Sequence, residues 1–144
     1  MIRLYTGGTF DLFHAGHVNL LKACHDMADE LIVALNSDRF IKKFKFKEPI
    51  LPYEERKLIL ESCRYVDSVI MHDNDFNSTE TIDSVCNVNI IAVGDDWKSK
   101  NYYQQMGFTD AWLEERNIKL IYLPYGNLMN TTKIKNKVYS QFQS

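Results

Sequence analysis

Blocks of apolar residues separated by polar turns run the length of the chain, and their periods predict an alternation of strands and helices. Ile2 to Thr6 is a short strand run. Val18, Leu20, Leu21, Cys24 and Met27 then recur at three- and four-residue spacing, which predicts a helix from about Gly16 to Ala28 with one apolar face. Leu31 to Leu35 is continuously apolar and of strand length, the pattern of a strand buried on both faces of a parallel sheet. Asn36 to Ile50 reads as a polar connection carrying Lys42, Lys43, Lys45 and Lys47. Pro52 suits the first position of a helix over Tyr53 to Cys63, and Ser68 to Met71 is a third strand. Asp73 to Thr79 is turn-rich, with Ser78 or Thr79 placed to cap a short helix ending at Val85. Asn89 to Val93 and Lys119 to Leu123 complete five strands, with two short helices broken at Gly107 between them. Pro124 to Gly126 is a turn, and a last helix opens at Thr131. This order predicts one α/β domain over residues 1–144, a Rossmann-like five-stranded parallel sheet with helices on both faces.

Composition narrows the class. With 144 residues, 45% hydrophobic and 25% charged, the chain can bury a core in one domain. A formal net charge of −2 argues against nucleic acid or a membrane surface as partner. No apolar run approaches the roughly 20 residues of a membrane span. Met1-Ile2-Arg3 leads straight into a strand, so a cytoplasmic protein is expected. Cys24, Cys63 and Cys86 are odd in number, widely spaced and in predicted helices, which favours reduced core thiols over a disulfide frame. A zinc site with His25 or His72 is a distant second, since no close Cys-x-x-Cys pair exists.

Candidate chemistry concentrates where the first strand hands over to the first helix, in Gly7-Gly8-Thr9-Phe10-Asp11-Leu12-Phe13-His14-Ala15-Gly16-His17. Gly7 and Gly8 permit backbone angles and close approaches that a side chain would block. A helix N-terminus presents unpaired N–H groups and the positive end of a dipole, so the junction reads as a phosphate site. His14 and His17 stand three apart, on one side of the first turn, where both can donate to the same phosphoryl oxygens. A reference pKa near ~6.5 leaves each open to partial protonation beside an anion. Alone, two such histidines equally suit a cap, a core contact or a metal.

Gly-Thr-Phe-Asp-Leu-Phe-His-Ala-Gly-His resembles the signature of the HxGH nucleotidyltransferase superfamily, in its cytidylyltransferase branch and nearest to the glycerol-3-phosphate cytidylyltransferases. Further motifs carry the resemblance over nearly the whole chain. Pro52-Tyr53-Glu54-Glu55-Arg56 and Arg64-Tyr65-Val66-Asp67 look like the family's two arginine motifs, which implies that Arg56 and Arg64 reach phosphates of nucleotide or substrate. On the residues alone, surface ion pairs with Glu54, Glu55 or Glu61 are the ordinary reading. Gly94-Asp95-Asp96-Trp97-Lys98 is a further family motif, and a Trp beside carboxylates after a strand end suits a base or ribose pocket. The family usually shows Arg-Thr-x-Gly-Ile-Ser-Thr-Thr-x-Ile before the last helix. This chain instead has Tyr125-Gly126-Asn127-Leu128-Met129-Asn130-Thr131-Thr132-Lys133-Ile134. Asn130 keeps an N-cap, whereas the turn's bidentate guanidinium is missing.

The resemblance implies attack by an acceptor phosphate on the α-phosphorus of CTP, with His14, His17, Lys45 and Arg56 as the catalytic set. Gly8, Thr9, Phe10, Gly94, Asp95, Asp96, Trp97, Asn130, Thr131 and Thr132 join the histidines in binding nucleotide. Asp11, Lys45 and Arg64 serve the acceptor, a small phosphorylated polyol such as glycerol 3-phosphate or a close relative. The lysine-bearing segment 36–50 reads as a mobile basic lid, the alternative being a solvated loop. Mg²⁺ is expected to bridge phosphate oxygens and waters, without a dedicated protein cage. The family's dimeric habit implies a homodimer with Arg64 to Asp67 near its interface. Adenylyl transfer from ATP and a nucleotide-binding regulatory domain without turnover remain as alternatives. The absence of Gly-x-x-x-x-Gly-Lys-Ser/Thr disfavours a P-loop enzyme, and the absence of Gly-x-Gly-x-x-Gly a generic dinucleotide binder.

Overall fold

The computed structural model describes residues 1–75, 78–99, 101–124 and 130–143, with backbone alone at 98 and 99. Five strands, β1 (Arg3–Gly8), β2 (Glu30–Asn36), β3 (Ser68–His72), β4 (Ile90–Gly94) and β5 (Lys119–Leu123), form an all-parallel sheet in the order β3-β2-β1-β4-β5. The chain first builds outward from β1 through β2 to β3, then crosses back to lay β4 against the other side of β1. That reversal opens a crevice beyond the C-terminal ends of β1 and β4, where open α/β sheets bind ligands.

Both sheet faces are covered, because successive strand residues point to opposite sides. Leu4, Leu31, Val33, Leu35 and Ala92 pack with Leu21 and Cys24 of α1 (Ala15–Asp26) and Tyr53 and Leu60 of α3 (Tyr53–Glu61). Tyr5, Ala34, Ile91 and Val93 face Ile82 of α4 (Thr79–Val85), Tyr102 and Met106 of α5 (Tyr102–Met106), and Leu113 of α6 (Asp110–Glu115). A 3₁₀ turn (Asp95–Ser99) follows β4, and α7 (Thr131–Gln143) lies outside both clusters. The predicted break at Gly107 is the left-handed C-cap of α5, at φ 76°.

Several sequence expectations need correction. Segment 36–50 is not a loop throughout, since Asp38–Lys45 forms α2. Ser37 caps it by accepting from the Phe40 N–H, while Phe40 and Ile41 are buried. The lysines masked a short amphipathic helix whose apolar side is Phe40, Ile41 and Phe44. Ser78 holds the N-cap position of α4 without a side-chain cap bond, its hydroxyl donating instead to Met106 Sδ at 3.3 Å. Of the cysteines only Cys24 is a core thiol; Cys63 lies past the end of α3 and Cys86 is exposed at the end of α4. The strained backbone after β1 falls on Phe10 and Leu12, each at φ 50°, rather than on the glycines. Gly8 is needed for space, because a Cβ there would come within 2.9 Å of the Phe10 ring.

Two buried charges fix the crevice. Arg56 is 1% exposed, and its guanidinium donates to the carbonyls of Leu51 (2.9 Å), Thr9 (2.9 Å) and Asn36 (2.9 Å) and to Asp38 Oδ1 (2.6 Å). Asp11 is also buried, and its carboxylate accepts from the backbone N–H groups of Ile50 (2.7 Å), Leu51 (2.9 Å) and Leu12 (3.1 Å). The expectation that Arg56 offers a free cation to phosphate, and Asp11 a carboxylate to an acceptor, is corrected accordingly: both hold the segment before α3 against the turn after β1. Replacing Arg56 by Met strands three carbonyls and leaves Asp38 without its ion-pair partner. It should cost about 3 kcal/mol or more of unfolding free energy in urea titrations. A loss under about 1 kcal/mol would show that this network does not hold the fold.

Candidate active site

The turn after β1 and the first turn of α1 form one capped unit. His14 is the N-cap of α1; its Nδ1 accepts from the Gly16 N–H at 3.0 Å, and His17 Nδ1 accepts from the His14 N–H at 3.2 Å. This is a reciprocal capping box built from two imidazoles in place of the usual hydroxyl and carboxylate. Because both Nδ1 atoms accept, the ring protons sit on Nε2, and both histidines become donors away from the helix. The rings stack with centroids 3.7 Å apart and planes at 28°, and Phe10 and Phe13 flank His17 at 5.1 and 5.4 Å. His14 Nε2 is buried and has no hydrogen-bond partner among the described residues.

Burial decides their charge. It holds the His14 pKa below the ordinary histidine value, and pushes His17 down to about 3, assisted by repulsion from His14 and opposed by the Asp11 carboxylate. Without an anion, burial therefore disfavours protonation of both rings, whereas the expected partial protonation concerns the site with an anion beside it.

Around this pair the structure assembles a polar rim. Thr9 Oγ1 accepts from Asn36 Nδ2 at 3.1 Å and from Lys45 Nζ at 3.4 Å, so α2 delivers its last lysine to the turn. Asn36 went unnoticed in the sequence because it closes an apolar strand and was assigned to the loop; an Asn-Ser-Asp run ahead of a helix was the available signal. Thr131 Oγ1 donates to the Asp11 carbonyl at 2.7 Å, and Asn130 caps α7 by accepting from the Lys133 N–H at 2.8 Å. The start of α7 thus meets the same turn, with Thr132 exposed on its first turn. Gly94 is buried at the end of β4, Asp95 and Asp96 are exposed just beyond it, and Trp97 is half-buried edge-on to Tyr102 at 5.4 Å.

Arg64 is not part of this assembly within one chain. It precedes β3, at the N-terminal end of the parallel sheet, and is exposed, with its guanidinium donating to the Tyr65 hydroxyl at 2.8 Å. The substituted turn at 125–129 lies outside the described residues. No three His, Cys, Asp or Glu side chains cluster among the described residues. No described helix is long and apolar enough to cross a membrane.

Comparison with known proteins agrees with this geometry. Residues 5–137 match a family model described as cytidylyltransferase-like. The chain is 37% identical to a glycerol-3-phosphate cytidylyltransferase of Bacillus subtilis, over 96% of this chain and 98% of that one. It is 33% identical to an FAD synthase of Pyrococcus abyssi, over 98% of this chain and 95% of that one. Among solved structures, a lipopolysaccharide core biosynthesis protein from Thermoplasma volcanium superposes with a TM-score of 0.67 at 26% identity, covering 85% of this chain and 96% of that one.

The depressed His17 pKa makes stability depend on pH. Between about pH 6.5 and 3 the unfolded chain binds a proton at this site that the folded chain does not. Stability is thus full above pH 6.5 and falls as pH drops through that window, by at most about 1.4 kcal/mol per pH unit. His14 and His72, also held low by burial, act in the same direction. Between pH 7.5 and 5.0 denaturation should show wild type losing about 2 kcal/mol through His17, with His14 and His72 adding to that loss. His17→Gln, which retains an N3 capping group, should lose clearly less; equal slopes would remove His17 as the cause.

Proposed function

The chain belongs to the cytidylyltransferase-like family and is a nucleotidyltransferase, and from that membership we propose that it moves a cytidylyl group from CTP to a small phosphorylated polyol, glycerol 3-phosphate or a close relative. The observation that carries this reading is the pair of neutral imidazoles stacked on the N-terminus of α1, with Nε2 of His14 buried and unpartnered among the described residues.

In this reading an oxygen of the acceptor phosphate attacks the α-phosphorus, the new O–P bond forms, and the bond to the β-phosphate oxygen breaks, releasing pyrophosphate. The attacking oxygen is already anionic, so no general base is required. Catalysis then consists of positioning and of stabilising charge that builds on the transferring group. His14 and His17 donate through Nε2 to its non-bridging oxygens. Their neutrality suits this role, since they need no proton from solvent and gain strength as oxygen charge grows. Lys45 adds a cation from α2, and Thr9, Thr131 and the start of α7 serve the departing phosphates. The nucleotide base and ribose are assigned to the end of β4, beside Gly94 to Trp97. Arg56 and Asp11 act through backbone, holding Thr9, Leu51 and α2 in place. Mg²⁺ is proposed to be held by the triphosphate and waters, where it would neutralise phosphate charge. A homodimer is the proposed assembly, and it offers Arg64 a role at a partner's site that it lacks within its own chain.

The similarity to FAD synthases favours a second reading, adenylyl transfer from ATP by the same histidines. Pyrophosphate release measured with CTP and with ATP across a panel of phosphate acceptors separates the two; CTP should be preferred by at least tenfold in kcat/KM. ATP preferred by that margin would establish the second reading.

His14→Ala and His17→Ala should each lower kcat by about 10² to 10³ with little change in nucleotide affinity, as expected for donors that act mainly in the transition state. Wild-type turnover in either variant would remove that histidine from the mechanism. Equal losses of binding and turnover would make it a ground-state ligand.

A further inference from the structure

Along the C-terminal edge of the sheet lies a cavity of about 380 Å³, of whose walls the mechanism above uses only Trp97. Its apolar walls are Phe40 and Phe44 of α2 on one side and Trp97 after β4 on the other. Its polar walls are amides, chiefly Asn101, Gln104 and Gln105 of the segment that carries α5, with His72 at the end of β3. A chain of bonds links the walls of the cavity to the reactive turn. Thr9 is bonded to Asn36, Asn36 pairs with His72 across the β2–β3 ladder, and Phe44 is the neighbour in α2 of Lys45, whose Nζ reaches Thr9.

Asp75, which lines it, is ion-paired with Arg39 at 2.8 Å and Lys43 at 2.6 Å, and these cations hold its carboxyl down to about 2. Among the described lining residues there is no Lys or Arg to hold a phosphate. Amides that both donate and accept, set among aromatic faces, instead fit a neutral body rich in hydroxyl groups and C–H surface. Phe40 and Phe44 are tilted at 39° to each other, and Trp97 stands edge-on to Tyr102.

We infer that this cavity receives the hydroxylated body of the acceptor while its phosphate meets the Thr9, Lys45 and histidine cluster, and that the acceptor is a polyol or sugar phosphate longer than glycerol phosphate. Gln104 and Phe44 are the specificity-determining residues. Gln104 is braced by Asn101, with Asn101 Nδ2 donating to Gln104 Oε1 at 3.2 Å and the Gln104 N–H donating to Asn101 Oδ1 at 3.0 Å. The inference rests on the transfer reading for the fate of the phosphate, and on the cavity alone for the chemistry of the body.

Two measurements on the whole chain test it. Calorimetry without nucleotide, using glycerol 3-phosphate, a pentitol 5-phosphate, a hexitol 6-phosphate and flavin mononucleotide, should show a longer polyol phosphate binding at least about fivefold more tightly than glycerol 3-phosphate. Steady-state kinetics with CTP should show a kcat/KM ratio of about tenfold or more in the same sense, roughly 1.4 kcal/mol by the affinity relation. Gln104→Leu and Phe44→Ala, both at exposed positions and compatible with folding, should bring that ratio close to one, mainly through KM. Preference for glycerol 3-phosphate or for flavin mononucleotide in binding, or a ratio unmoved by both variants, overturns the inference. Product formation absent with every acceptor and either nucleotide sinks the transfer reading instead, and the calorimetric comparison then still decides what the cavity holds.

Discussion

A fully buried guanidinium governs the geometry of this molecule. Burying a cation without partners is prohibitively costly, so Arg56 can occupy its position only if carbonyls and a carboxylate converge on it. Those partners come from four places: the turn after β1, the end of β2, the start of α2 and the approach to α3. Satisfying one charge therefore locks four segments at the C-terminal edge of the sheet. Asp11 makes the reciprocal demand for N–H donors and takes them from Ile50 and Leu51. Between them the two residues turn flexible connections into a rigid rim, on which Thr9, Asn36 and Lys45 meet.

Rigidity of that rim matters because the electrostatics of the histidine pair leave little room for adjustment. Desolvation lowers the pKa of both imidazoles, with Phe10 and Phe13 packed against His17 and the two rings stacked on each other. Reciprocal capping sets the tautomer, so backbone geometry rather than solution pH decides where the protons point. Preorganised donors of this kind cost no reorganisation when charge develops nearby, which is the physical advantage the proposed mechanism draws on.

How much of this was legible in the sequence depends on what each residue type usually does. The parallel sheet was readable because Leu31 to Leu35 and Ile90 to Val93 are apolar runs with no polar face, and only a doubly covered sheet accepts them. The paired short helices on either side of Gly107 followed from glycine's tolerance of positive φ. The α2 helix was missed because four lysines dominated the segment and only three apolar residues carried the period. The structural role of Arg56 was hidden for a deeper reason: arginine is almost never fully buried, and no local pattern announces partners that lie 5 to 47 residues away. The lowered histidine pKa values were likewise not legible in the motif, since desolvation belongs to the tertiary surroundings.

The shortest of these misread elements links the two halves of the proposed substrate site. Helix α2 has eight residues, and two adjacent side chains near its end face different tasks: Lys45 reaches Thr9 at the reactive turn, while Phe44 lines the amide-walled cavity. Its N-terminus is anchored by Arg56 through Asp38 and by the Ser37 cap, and its flank by the ion pairs of Arg39 and Lys43 with Asp75. Both ends of an acceptor would then be read by one rigid body, so a body that fills the cavity also fixes where its phosphate stands relative to the histidines. The opposite wall comes from residues 101–105, beyond β4 and outside the Arg56 network. Changes there can alter which acceptor body fits without moving the groups proposed to perform the transfer, which is how one scaffold serves different acceptors at small energetic cost.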